Sequence, residues 1–369
     1  MQASYIVSSV QSNPPNLDNA RNAAPGRIVL FGSGEAAPTA RRAHAVALEQ
    51  LLTPVRAAVL ETPAGFEPNS ARVAGRLAEY LRHRFQLETH VVHARKRGTP
   101  ESPDEAHVVE PLLTSNYIML GPGSPTYAVR QLADSLAWQI VLARHRMGAA
   151  LVLASAAAIA TSLYALPVYE IYKVGQDLHW QPGLDLLGPF GGRIVVVPHW
   201  NNHEGGEELD TSHSYMGLER FERLCAMLPP DVDILGVDEH TAVILDFLDN
   251  RVLVLGRGGM TWLYHAGESL RVEAGGAIAL ETLSLGRPTS PEDGISSAVW
   301  ELAQRAIEGA GSIDVSEPTD LVQALVAERS AARARGDWAA ADQLRDRITA
   351  EGWEIRDTPD GPELIAIQC

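Results

Sequence analysis

Cysteine is nearly absent from this chain: Cys225 and Cys369 are the only two in 369 residues. No disulfide framework can be built from them, and a reducing cytoplasm is the expected compartment. Long apolar runs are missing too, with nothing near the roughly 18 residues that read as a membrane span. Residues 1–25 are rich in Asn, Pro and Ala and lack the basic start and apolar centre of a secretory leader, so they read as a flexible tail. Excess positive charge is the third absence. Thirty basic side chains stand against 46 acidic ones, a formal net charge of -16. Such a surface repels nucleic-acid phosphate where no local basic patch intervenes, so nucleic acid and membrane are not expected partners and a small or cationic substrate fits better.

What is present is alternation. "RIVLFG" (27–32), "RAAVLE" (56–61), "ETHVVH" (88–93), "NYIMLG" (116–121) and "ALVLA" (150–154) are short apolar runs typical of strands buried on both faces. Between them lie segments such as "NSARVAGRLAEYLRHRF", with apolar residues at three- and four-residue spacing. The fold class is therefore α/β, a doubly wound, mostly parallel sheet. Further runs at 193–200 and beyond, separated by small turn residues, add more sheet and an antiparallel edge. Ligands in such sheets sit at the carboxyl ends of the strands, and those ends hold the unusual loops: "GSGEAAPT", "TPAGFEPNS", "GPGSPTY", "ASAAA" and "PHWNNHEGG". "GSGEAA" lacks the last glycine of a dinucleotide-binding loop, so nucleotide binding is a minor reading.

Taken in order over roughly 27–285, "GSGE", "TPAGF", "LGPGS", "ASAAA", "PHW", "LERFERL" and "GVDEHTAVI" resemble the motifs of the S51 peptidases. That family includes aspartyl dipeptidase and cyanophycinase and shares the class I glutamine amidotransferase-like, flavodoxin-like fold. The resemblance implies a serine-type hydrolase acting on a small peptide-like substrate. Its relatives act on aspartyl peptides or an aspartyl-arginine isopeptide, are often dimers, and need no cofactor. The family's Gly-x-Ser-Ala-Gly elbow has its two glycines replaced here by Leu153 and Ala157.

The chemistry reads in parallel. A serine hydroxyl needs a neighbouring base, and the base needs an orienting group. Ser155, between a strand and the helix "AAAIATSLYAL", has the context of a nucleophile elbow. The Ala156 N–H is the first candidate oxyanion donor and Gly123 the second, because Pro122 has no N–H to give. By match to the family, His199 is the candidate base and Glu239 its acidic partner, with Asp238 as fallback. Glu35 is read as favouring the N-terminus of the following helix or lining the pocket, and Tyr127 and Arg220 as substrate contacts or helix-surface residues. The bland alternative for Ser155 is a buried small residue, which would leave a catalytically silent binding protein.

Two rival chemistries are weaker. "PHWNNHEGGEELDTSH" gathers His199, His203 and His213 among carboxylates, a possible metal set if helical, but Pro198 and Gly205-Gly206 indicate a loop. Glutamine amidotransferase chemistry uses a cysteine at the elbow, and Cys225 lies instead in the helical pattern "LERFERLCAML".

Residues 286–319 read as a linker containing a short helix, "SAVWELAQRAIE". From 320 to 369 follow two helical patterns broken at Gly336-Asp337, then the strand and turn "WEIRDTPDG". "ERSAARARGDWAAADQLRDRITAEGWEIRDTPDG" resembles the carboxyl-terminal region of cysteinyl-tRNA synthetases, which implies a small helical hairpin. In the synthetase that region helps recognise tRNA. This segment is acidic on balance, so docking or dimerisation is the leading expectation and tRNA contact a minor one.

Overall fold

The computed structural model describes residues 24–265, 267–286, 288, 290–311, 320–350, 353–358 and 361–366. The tail read from 1–25 lies outside them except for Ala24 and Pro25, which are buried. The chain divides into two compact units, Met1–Ile307 and Glu308–Cys369.

In the large unit, five strands run parallel: β1 (Ile28–Phe31), β2 (Arg56–Leu60), β3 (Glu88–Val92), β4 (Tyr117–Leu120) and β5 (Ala150–Ala154). Their order is β1-β5-β4-β2-β3. Every residue of β1, β4 and β5 is buried, so alternate side chains serve opposite faces. Ile28, Leu30, Ile118, Leu120, Leu151 and Leu153 share one core with α3 (Ala106–Thr114) and α5 (Leu136–Arg146). Val29, Phe31, Met119, Val152 and Ala154 share the other with α1 (Arg41–Leu48) and α2 (Ser70–Phe85). This is the doubly wound arrangement.

The antiparallel edge forms on β1, where β10 (Thr241–Asp246), β11 (Arg251–Gly256) and β14 (Ala277–Ala279) complete eight strands. Beyond β6 (Tyr164–Ala165) and β7 (Gln181–Pro182), which pair with each other, the run at 193–200 joins a different sheet. There β8 (Ile194–Val197) pairs parallel with β9 (Asp233–Val237), β12 (Gly259–Leu263) adds antiparallel to β9, and β13 (Ser269–Glu273) adds antiparallel to β12. This second sheet carries His199 to the carboxyl edge of the first, where the His199 N–H donates to the Gly32 carbonyl at 3.2 Å.

Four short helices complete the scaffold of the site: α4 (Pro125–Leu132), α6 (Ala156–Ala160), α7 (Val168–Tyr172) and α8 (Leu218–Cys225). Across the stretch read as a linker runs α9 (Ser297–Gly311), whose Trp300 and Ala303 pack against Ala143 of α5. In the small unit, α10 (Asp320–Ala334) and α11 (Trp338–Ala350) precede an antiparallel hairpin, Trp353–Thr358 with Gly361–Ala366. Val322, Leu325, Ile348 and Ile355 form its core, and Arg329 grips Asp357 through two hydrogen bonds of 2.9 Å.

Candidate active site

Between the end of β5 and the start of α6 the chain makes a sharp turn on one residue. Ser155 has φ 51° and ψ -111°, a conformation that costs free energy for any residue with a Cβ. Its N–H donates to the Phe31 carbonyl at 3.2 Å, which ties the turn to β1. The first N–H groups of α6 have no carbonyl one turn back to bond, and the Ala156 N–H beside the serine hydroxyl donates to no backbone carbonyl outside the helix among the described residues. Across the cleft, the Gly123 N–H donates to no backbone carbonyl among the described residues. Only glycine fits there, because a Cβ would lie 1.9 Å from the Pro63 carbonyl oxygen.

Leu153 and Ala157, where the family has glycine, do not undo this turn. Leu153 pairs in register with Leu30 and Leu120 and enters the core on their face. Ala157 is buried in the same core. At 157 the clearance that glycine would provide is met by a small side chain, and Leu153 fills the core beside it.

The residues expected to serve Ser155 converge on it. Ser155 Oγ is 2.9 Å from His199 Nε2, and His199 Nδ1 is 2.9 Å from Glu239 Oε1. A carboxylate only accepts, so the Nδ1–H donates to Glu239 and the neutral ring presents unprotonated Nε2 to the Ser155 hydroxyl. The hydrogen bond from His199 holds the Glu239 carboxyl below its ordinary range, against the upward push of burial and with help from Asn202. Asn202, fully buried, donates its amide to the same Oε1 at 2.9 Å, and the Asn201 side-chain oxygen accepts the Glu239 N–H at 2.8 Å. Sequence reasoning missed both asparagines, although they directly follow His199 and Trp200. Asp238, the fallback acid, points away: it accepts the Gly259 N–H at 2.8 Å and pairs with Arg271.

Other candidates land elsewhere. Glu35 lies ahead of the first helical turn and carries no cap. Burial pushes its carboxyl up, while its own backbone N–H, His199 and His240 pull it down. The Tyr127 hydroxyl is spent on the Arg95 carbonyl at 2.9 Å, with the ring against Phe66. The Arg220 guanidinium bonds the carbonyls of Tyr215 and Met216. The metal set is not assembled. His199 belongs to Ser155 and Glu239, His203 is exposed, and the His213 ring stacks on Phe221 with centroids 4.5 Å apart and meets Trp200 edge-on. Among the described residues no three His, Cys, Asp or Glu side chains come together as ligands. Burial raises the Cys225 thiol to about 11, leaving it unreactive at neutral pH.

A cavity of about 390 Å³ opens onto Ser155, Ala156, Gly123 and His199. Its far wall comes from α7 and from a strap at 213–215, whose three residues are all left-handed, with φ 54°, 56° and 68°. The strap is held by Ser214 Oγ to the Pro198 carbonyl at 2.7 Å and by the two Arg220 bonds. Its Tyr215, and Tyr169 and Tyr172 of α7, also went unnoticed in the sequence. No helix among the described residues is long and apolar enough to cross a membrane.

The architecture of the large unit recurs in a solved structure. The crystal structure of a peptidase from an acI-B1 Actinobacterium superposes with a TM-score of 0.57 at 21% identity, covering 70% of this chain and 98% of that one. A putative peptidase E protein from Listeria monocytogenes EGD-e aligns over 63% of this chain and 99% of its own at 14% identity, with a TM-score of 0.44. The second unit has a different kinship. Residues 317–362 match the family model of the cysteinyl-tRNA ligase anticodon binding domain. Cysteine–tRNA ligase 1 of Burkholderia lata is 46% identical over 56 residues, 15% of this chain and 11% of that protein. The ligase of Streptomyces avermitilis is 34% identical over 103 residues, 23% of this chain and 22% of that protein. The chain thus spans between a tenth and about a fifth of these relatives.

Proposed function

We propose that the large unit is a serine-type hydrolase that cleaves an amide bond in a small peptide-like substrate. One observation carries the reading: the strained Ser155, His199 and Glu239 form a continuous hydrogen-bonded line of two 2.9 Å contacts at the mouth of a cavity. Ser155 Oγ attacks the carbonyl carbon as its proton passes to His199 Nε2, and Glu239 steadies the imidazolium that results. The Ala156 and Gly123 N–H groups meet the developing oxyanion. His199 then protonates the leaving amine, an acyl ester remains on Ser155, and water activated by the same imidazole releases the acid. The likeness to a peptidase structure supplies the fold, and the side-chain geometry supports the chemistry.

The test is intact mass after exposure to a fluorophosphonate. One adduct on the wild type, absent from Ser155→Ala and His199→Ala, supports an activated serine. A folded wild-type protein that takes no adduct, together with the variants behaving alike, removes the reading.

For the small unit we infer a docking role. Its sequence is acidic on balance, while Trp338 is 60% exposed with the Arg333 guanidinium 5.4 Å above its ring. Fluorescence titration of Trp338 with transcribed tRNA tests this: no response supports docking to protein, and saturable quenching favours RNA contact.

A further inference from the structure

The chemistry of the cavity wall constrains the substrate. Beyond the serine and its donors, the wall is formed by Ile159, Val168, Tyr169, Tyr172 and Tyr215. The Tyr172 and Tyr215 rings lie 5.4 Å apart at 38°, and Tyr215 also faces the His199 ring at 5.7 Å. Positive charge is scarce on this wall. Arg220 is committed to the strap carbonyls, 6.0 Å from the Tyr172 ring. Lys173 is the one cationic side chain lining the cavity among the described residues, and it is exposed, with its ammonium 4.3 Å from the Tyr169 centroid. Glu204, exposed like Lys173, also lines the cavity and accepts the Tyr215 hydroxyl at 3.1 Å, so the two charges at the rim are of opposite sign.

From this arrangement we propose that the cavity takes an aromatic or large apolar side chain beside the cleaved bond and discriminates against an acidic one. A carboxylate entering here would lose hydration without a buried cation to replace it. An aromatic ring would instead exchange water for the edges and faces of three tyrosines, with Ile159 and Val168 behind them. This selectivity differs from the aspartyl preference that the sequence resemblance implied. The inference takes its location from the serine-hydrolase reading, but the wall itself does not depend on turnover.

The experiment is calorimetric titration of folded Ser155→Ala protein with N-acetylphenylalaninamide and, separately, N-acetylaspartamide. The phenylalanine ligand is expected to bind about tenfold tighter or more. Tyr172→Ala should remove most of that margin, and Lys173→Met should leave the order of the two ligands unchanged. An aspartyl ligand that binds equally well or better overturns the proposal, as does a phenylalanine ligand with no measurable binding. Fluorophosphonate labelling of the wild type separates this from the reading it rests on. Labelling that the phenylalanine ligand fails to slow overturns the pocket assignment alone. Absent labelling beside intact ligand binding overturns the serine mechanism and leaves the pocket standing.

Discussion

Two histidines fourteen residues apart on the same connection have opposite surroundings. His199 is held between a hydroxyl and a carboxylate, whereas His213 is wedged between the rings of Trp200 and Phe221. Both adopt left-handed backbone, with φ 50° and 54°, so strain does not distinguish them. Their partners do. At His199 a carboxylate fixes the tautomer and leaves Nε2 free to take a proton. At His213 burial depresses the pKa and favours a neutral, packed ring. The lesson is that a histidine on a strand-end loop becomes chemical through what the neighbouring strands bring to it, here Ser155 from β5 and Glu239 from the turn after β9.

The comparison breaks most sharply at the carboxylate. Glu239→Gln should keep the fold but lose the preference for the reactive tautomer, lowering kcat about 10³-fold with KM nearly unchanged in steady-state hydrolysis. A loss of tenfold or less would place His199 nearer to His213 in kind. The next test extends to core histidines. Burial lowers His44 to about 4 and His145 to about 3, so both are neutral when folded. The unfolded chain protonates them near 6.5, binds more protons below that pH, and gains on the native state as pH falls from 6.5 towards 4. The loss should be on the order of 3 kcal/mol per histidine at pH 4, read from denaturant midpoints across that window. A flat profile would contradict their burial in neutral form.

Smaller effects sharpen the same contrast. Asn202→Ala removes a hydrogen bond to a charged group and should lower kcat about tenfold. Without that donor the Glu239 carboxyl titrates higher, a displacement read from its 13C carboxyl resonance across the acid range. A uniform drop without this displacement would indicate a merely structural asparagine. His213→Phe keeps the stack with Phe221 and should change kcat by less than about threefold, with a stability cost of about 1 kcal/mol from the left-handed backbone. Abolished activity would return His213 to the candidate site.

Much of this was legible in the chain. Continuous apolar runs at 28–31, 117–120 and 150–154 mark strands buried on both faces, and Ser155, Gly123, His199 and Glu239 all lie on loops at strand ends. Which sheet a strand joins was not legible, because β8 is as apolar as β5 and periodicity carries no pairing information. Nor were the roles of Asn201, Asn202 and the 213–215 strap, since they depend on non-local bonds to Glu239, Pro198 and Arg220. Tyr127 and Arg220 were open between substrate contact and helix surface, and each side chain bonds a backbone carbonyl that no local pattern announces.

The central claim is that Ser155 is the activated nucleophile. Rapid mixing with a p-nitrophenyl ester, followed by peptide mapping of the quenched protein, tests it most directly. The account expects a burst of about one p-nitrophenolate per chain, an acyl group on the peptide containing Ser155, and neither in Ser155→Ala. A burst that survives in Ser155→Ala, or an acyl group mapped to another residue, would contradict it.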